Sequence, residues 1–354
     1  MTRVQRVNRF FLMLAAPVIG LLFCLLLFPP KPELLLNTDA YKTEKSLNAS
    51  SAQLLKDLET AETSAKATSA SLQKTLNLYN QTTQTMSSIV QRASIQAQRP
   101  EGIYDKRIRS KLGRPVETLD SEKIRIELFR VNAITYKGYA MKVKLKDPSA
   151  MRMSLAGEAL GSSETTLKAV QRHGAVAGIN AGGFADQDGK RYPLSTTVMN
   201  GKYLTGFQSS FKDLYFVGLN GSGKLIGGKF NRQDELDRLQ PQFGASFVPI
   251  LLKDGQKTPI PTKWKASPKR APRTIIGSYK DDQLIIFVID GYNEGGGSGA
   301  TLEEVQGQLY KIGVVNAYNL DGGGSSSLVM NGRVVNHPSD GNLRPVPTNF
   351  LFFE

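Results

Sequence analysis

Residues 316–332 read NAYNLDGGGSSSLVMNG. An aspartate, three glycines and three serines stand between two apolar, strand-like runs. Glycine runs weaken strands, and they suit places where the backbone turns sharply or a ligand comes close. Asp321 contributes a carboxylate, and Gly322, Gly323, Gly324 and Ser325 can offer successive N–H groups to an anion. The stretch therefore reads as the floor of a site at the end of a buried strand, residues 314–320. No Gly-Lys-Ser/Thr follows the glycines, which excludes a nucleotide P-loop. The Gly-x-Ser-x-Gly elbow of a serine nucleophile is absent too.

Two further strands end in polar, glycine-containing loops. One leads into NAGGF at 180–184, and the uninterrupted apolar run 284–289 leads into Asp290-Gly291. Ligand sites collect where strand ends and their loops converge. A lone Asp-Gly is most simply a turn. Asp290 and Asp321 together, both at strand ends, read as a carboxylate pair able to divide acid and base roles. Arg273 in APRT (271–274) and Arg344 in LRP (343–345) are candidate clamps, since a guanidinium grips a phosphate through two parallel hydrogen bonds. Asn180 has two readings, a hydrogen bond to a sugar hydroxyl or support of its own loop. His337, just past the Asn331-Gly332 hairpin, is a candidate base. Glu303 and Glu304 are read first as favourable charges at a helix start.

Around these loops the chain from 124 to 354 is globular and α+β: a mixed β-sheet domain with a few packed helices. Residues 124–131 and 139–145 alternate apolar and polar like strands. Residues 163–173 read as a helix capped by Ser163 and ended by Gly174, with Thr166, Leu167 and Val170 inward. Asn200-Gly201, Asn220-Gly221 and Asp254-Gly255 mark hairpins. Thr301 caps a helix over 302–311, and 350–353 is a last strand.

The first hundred residues differ. Residues 10–28, FFLMLAAPVIGLLFCLLLF, are uncharged and long enough to span a bilayer. Arg3, Arg6 and Arg9 precede them, which places 1–9 in the cytoplasm and the rest outside. Pro29, Pro30 and Lys31 follow in place of a small-residue cleavage site, so the run reads as an uncleaved signal-anchor. Residues 37–98 contain no Gly or Pro. Leu54, Leu58, Ala61, Ala65, Thr68 and Leu72, then Leu76, Tyr79, Thr83, Met86, Val90 and Ala93, form a heptad seam with one stutter. This predicts a helical stalk with two readings, a weak coiled coil that gives a route to a homo-oligomer or a solitary, partly frayed helical linker. Pro100 closes the stalk, and 99–123, with Lys106, Arg107, Arg109, Lys111 and Arg114, reads as a solvated linker.

The 354 residues carry a net charge of +14, which favours anionic surroundings such as lipid headgroups, wall polymers or phosphorylated sugars. Nucleic acid is not an expected partner, because no basic helix or aromatic–basic motif accompanies the charge. One cysteine excludes an internal disulfide, and two histidines leave little material for His-based metal chemistry.

The motifs GINAGGF (178–184), APRTIIG (271–277), IDG (289–291), GATLEEV (299–305), NAYNLDGGGSSSLVMNGRVVN (316–336) and LRPVP (343–347), in that order, resemble the phosphodiester glycosidase family. The resemblance covers about residues 125–354. It implies hydrolysis of a sugar-1-phosphodiester, with Asp290 and Asp321 as catalytic residues and Asn180, Arg273, Gly322, Gly323, Gly324, Ser325 and Arg344 binding substrate. It implies no cofactor, with a divalent metal left open. One departure is Tyr292, where many members carry arginine. Bacterial relatives point to exopolysaccharide or cell-wall substrates at the cell surface. The competing expectation is a non-catalytic module that grips an anionic glycan with the same loops.

Overall fold

The computed structural model describes residues 3–28, 44–211, 213–291 and 299–354. Tyr292 and most of the Gly-rich loop before Thr301 lie outside the described residues. The chain forms two compact units, 1–92 and 93–354.

In the first unit a helix runs over Arg3–Leu27. Its 20-residue stretch Asn8–Leu27, mean hydropathy 2.8, is apolar and long enough to cross a membrane, since 20 helical residues span about 30 Å. A second helix begins at Glu44 and continues to Leu112, 69 residues in all. Seam residues Leu54, Leu58, Leu72, Leu76, Tyr79, Met86 and Val90 are exposed along it. The threonine hydroxyls of this polar helix bond to carbonyls of the preceding turn, as Thr68 does to Ser64 O at 2.8 Å and Thr83 to Tyr79 O at 2.9 Å, so they make no demand on a partner.

The expected helix end at Pro100 and the expected linker 99–123 are both corrected. The helix passes through Pro100, because its last turns are held by tertiary packing, which outweighs local propensity. Ile108 is buried, and Tyr104 and Leu112 pack with it against Phe129, Phe287 and Leu309. Lys142, 2% exposed, donates to Glu127 at 2.9 Å and pairs with Asp105 of the helix. Arg109 closes the network on Glu127 at 2.7 Å and on Asp105 at 3.0 Å. Burial alone pushes the Glu127 carboxyl up, but Lys142, Arg109 and Arg125 together hold it below its ordinary value. Glu117–Asp120 is then the first strand, not linker.

The second unit is α+β, and every strand pairing among its described residues is antiparallel. An eight-stranded sheet runs in the order Glu117–Asp120, Ile124–Asn132, Lys137–Leu145, Leu284–Ile289, Arg273–Ser278, Asn316–Asn319, Ile250–Lys253 and Gln256–Lys257. The run 284–289 is apolar throughout because both faces are covered. Ile286 and Val288 join Leu128, Val143 and Tyr318 in a core shared with two five-stranded sheets, through Ile179, Val217, Phe243 and Phe350. Ile285, Phe287 and Ile289 pack on the other face against Leu302, Val305 and Leu309 of the helix Leu302–Ile312. Thr301 caps that helix in a reciprocal capping box with Glu304. The helix Thr166–His173 is capped by Thr165, two residues after the expected Ser163, and Gly174 ends it at φ 63°.

Candidate active site

The site grows from three neighbouring strands. Arg273–Ser278 lies between Leu284–Ile289 and Asn316–Asn319, antiparallel to both. The outer two therefore run the same way, and both deliver an aspartate to one end of the sheet. With strands about 4.8 Å apart, the Asp290 and Asp321 backbones are roughly 10 Å apart across the middle strand.

Asp321 is fixed through its backbone. Its N–H donates to Ala181 O at 3.2 Å, and its carbonyl accepts from Asn180 Nδ2 at 2.7 Å. Asn180 is fully buried, and its Oδ1 accepts from Thr274 Oγ1 at 2.8 Å and Ser327 N at 3.1 Å. One amide thus joins three strand ends, which favours the loop-support reading of Asn180. The Asp321 carboxylate accepts from Gly322 N at 3.0 Å. Burial raises its pKa to about 6, and the Ser325 hydroxyl, Gly322 N–H and the charges of Arg344 and Arg191 only partly offset this. Ser325 Oγ itself is buried and makes no hydrogen bond of good geometry.

The glycines let other chain segments close on this carboxylate. Gly323, at φ 59°, occupies the left-handed region that side chains avoid, and its N–H donates to Pro272 O at 2.9 Å. A Cβ on Gly324 would fall on the Arg344 guanidinium and the Asp340 carboxylate. Arg344 Nη2 donates to Asp340 Oδ2 at 2.9 Å, so this pair lies across the glycine turn.

Asp290 anchors the segment carrying Arg344. Its Oδ1 accepts from His337 N at 2.8 Å, and its Oδ2 lies 3.6 Å from His337 Nδ1. The imidazole meets Asp290, not a serine. Gly291 packs close to Ser339 and Pro272, where a Cβ would lie 2.5 Å and 2.7 Å from their side-chain carbons.

Arg273 is 5% exposed, and it donates from Nε to Ala300 O at 3.2 Å and from Nη2 to Pro268 O at 3.0 Å. Through these bonds the guanidinium ties 268 and 300 to the strand end. Glu304 serves the capping box and Arg270, and Glu303 is half exposed, 3.6 Å from Lys265. Among the described residues no group of three or more His, Cys, Asp or Glu side chains is placed to hold a metal.

Asp340 and Arg191 were not singled out by sequence reasoning. Arg191 lies on the hairpin Phe184–Gln187 and Lys190–Pro193, which turns at Asp188-Gly189 with φ of 51° and 72°. That Asp-Gly is the same signal that marked the other hairpins, and it would have found the element, though not the role of Arg191.

Comparison with known proteins agrees with this geometry. A family model described as phosphodiester glycosidase matches residues 173–353. The human N-acetylglucosamine-1-phosphodiester alpha-N-acetylglucosaminidase is 47% identical over 137 residues, 35% of this chain and 26% of that protein. The SPbeta prophage-derived uncharacterized protein YomE of Bacillus subtilis (strain 168) is 29% identical over 186 residues, 52% of this chain and 28% of that protein. The chain therefore spans about a quarter of the length of these relatives. A zebrafish N-acetylglucosamine-1-phosphodiester alpha-N-acetylglucosaminidase catalytic domain, auto-inhibited by pro-peptide, shares the fold with a TM-score of 0.55 at 23% identity, covering 67% of this chain and 88% of that one. The family match takes in Asn180, Arg273, Asp290, Asp321 and Arg344, and by its extent over half the chain it establishes that this protein belongs to the phosphodiester glycosidase family.

Proposed function

We propose that the chain hydrolyses a sugar-1-phosphodiester, releasing the sugar and leaving the phosphate on its carrier as a monoester. The observation that carries this reading is Asp321: a desolvated carboxylate with a pKa near 6, on a backbone pinned by Asn180, beside the Arg344 guanidinium. Above pH 6 it is ionised and poorly solvated, the condition of a nucleophile or base toward an anomeric carbon. Phosphate leaves readily, so a strong general acid is not required on the other side of the bond.

In this proposal Asp321 acts on the anomeric carbon, and Arg344 meets the phosphodiester. Asp290, the second carboxylate, holds the 337–344 segment in place through His337 N–H. Gly322, Gly323 and Gly324 form the close-approach turn, with Ser325 beside the carboxylate. Arg273 braces the strand end. The apolar helix Arg3–Leu27 is read as a signal-anchor with 1–9 cytoplasmic and the enzyme domain outside, facing wall or exopolysaccharide phosphodiesters of a bacterial surface. The exposed seam of the long helix is read as its route to a homo-oligomer.

The test is incubation of the purified protein with the methyl phosphodiester of α-N-acetylglucosamine 1-phosphate. Free sugar appears with the wild type and not with Asp321→Asn. Undiminished release by a folded Asp321→Asn protein refutes the assignment. Tight binding of several sugar phosphodiesters without product would favour the glycan-binding module instead.

A further inference from the structure

We propose that Arg191 is a second guanidinium of this site, gripping the anionic phosphodiester oxygens together with Arg344; this rests on the phosphodiester reading above.

The hairpin bearing Arg191 is not loosely attached. It grows from 181–183, and Ala181 O is the acceptor of the Asp321 N–H. Arg191 stands opposite Asp186 in the strand register, and its Nε donates to Asp186 Oδ1 at 3.0 Å. Its Nη1 donates to Pro345 O, the carbonyl next in sequence to Arg344. Its guanidinium lies over the Phe184 ring, 4.8 Å from the centroid, a contact that orients the plane as well as attracting the charge. Three restraints thus fix the group, while its Nη2 makes no hydrogen bond among the described residues. The side chain is 26% exposed, so a ligand can reach it.

Arg344 is arranged alike: Nη2 is committed to Asp340, and Nε and Nη1 are not. The two guanidinia come from separate elements, and Arg191 is tied to the Pro345 carbonyl, one residue on from the Arg344 backbone. The electrostatics explain why two are needed. An anionic phosphodiester approaching an ionised Asp321 meets a like charge in a poorly solvated place, where repulsion is weakly screened. Two guanidinia together outweigh the single carboxylate charge, so the phosphate meets a net attraction. The charges of both are felt at Asp321.

The plainer reading makes Arg191 a latch that only holds the hairpin to residue 345. A latch is indifferent to the charge of the ligand; a clamp is not. The deciding measurement is calorimetric affinity of the full-length protein, in detergent, for α-N-acetylglucosamine 1-phosphate and for neutral N-acetylglucosamine. Arg191→Gln should weaken the phosphate ligand about 10- to 100-fold, the loss of a charge-assisted hydrogen-bond pair, with about 2-fold or less change for the neutral sugar. Arg191→Lys should recover part of the loss. Wild-type phosphate affinity in Arg191→Gln, or equal weakening of both ligands with a lowered Tm, overturns the clamp. So does a wild type that binds the phosphate no better than the sugar. A wild type that prefers the phosphate through Arg191 yet releases no sugar from the diester refutes the hydrolase reading alone.

Discussion

Asp321→Asn should abolish turnover and, above pH 6, make the protein more stable. The carboxyl has a folded pKa of about 6 against an ordinary 3.8. A raised carboxyl pKa means that the folded state favours the protonated form. Its contribution to stability is fully present below the unfolded pKa near 4 and is lost as pH rises through 6. Two pKa units at 1.36 kcal/mol each give on the order of 2–3 kcal/mol. Asparagine keeps the acceptor for Gly322 N–H and carries no charge to desolvate, so it escapes that loss. The variant should therefore melt about 5–10 °C above wild type at pH 7.5, given the few degrees per kcal/mol of a domain this size. At pH 4 the two should nearly coincide. Thermal melts at the two pH values read the stability, and sugar release reads the activity, which should fall about a thousandfold or more. A variant less stable than wild type at pH 7.5 would refute the claim that desolvation dominates at Asp321, and with it the argument that its carboxylate is held in a reactive state.

The same pKa predicts that wild-type kcat/KM falls about tenfold per pH unit below pH 6, as Asp321 takes up its proton; a flat profile to pH 4.5 contradicts this. Asn180→Ala should cost about 3 kcal/mol in urea unfolding, because it strips partners from Thr274, Ser327 and the Asp321 carbonyl in a fully buried place. Gly324→Ala should displace Arg344 and Asp340 from the glycine turn, lowering kcat/KM about 10-fold or more with little change in Tm, since those side chains can swing into solvent. Lys142→Met should cost about 3–5 kcal/mol by leaving buried Glu127 and helix-borne Asp105 short of a cation. For the same reason a fragment beginning at 124 should unfold more readily than one beginning at 93, a difference urea titration would read.

The elements that were legible in the sequence are those whose cause is local. Thr301 with Glu304 three residues on is a capping box in the chain itself, and Asn200-Gly201, Asp254-Gly255 and Asn331-Gly332 each take positive φ at both residues. Asn220-Gly221 differs because the Asn220 side chain accepts from Ser222 and Lys224 N–H, and Gly223, not Gly221, takes the positive φ. What was misread depends on residues distant in sequence. Pro100 looked like a helix end because nothing nearby reveals that Tyr104 and Ile108 meet Phe129 and Phe287. That the Arg273 guanidinium bonds the carbonyls of 268 and 300 is not visible in the sequence either, because Ala300 lies 27 residues away. Arg191 went unnoticed, since the Pro345 carbonyl it bonds is more than 100 residues away.

The distribution of charge about Asp321 also bears on which bond is broken. An ordinary glycoside leaves as an alkoxide and needs a proton from a second, protonated carboxyl. The other carboxylate brought to this end of the sheet is Asp290, and it is engaged in holding the 337–344 segment through the His337 backbone N–H at 2.8 Å. Asp340 is likewise committed to Arg344. What acts on Asp321 instead is cationic: the charges of Arg344 and Arg191. A leaving group that departs already carrying negative charge, and already stable as an anion, suits guanidinia and has no use for a proton donor. The site thus combines one desolvated carboxylate with fixed positive charge, a pairing suited to a sugar leaving from phosphate and ill suited to a sugar leaving from another sugar.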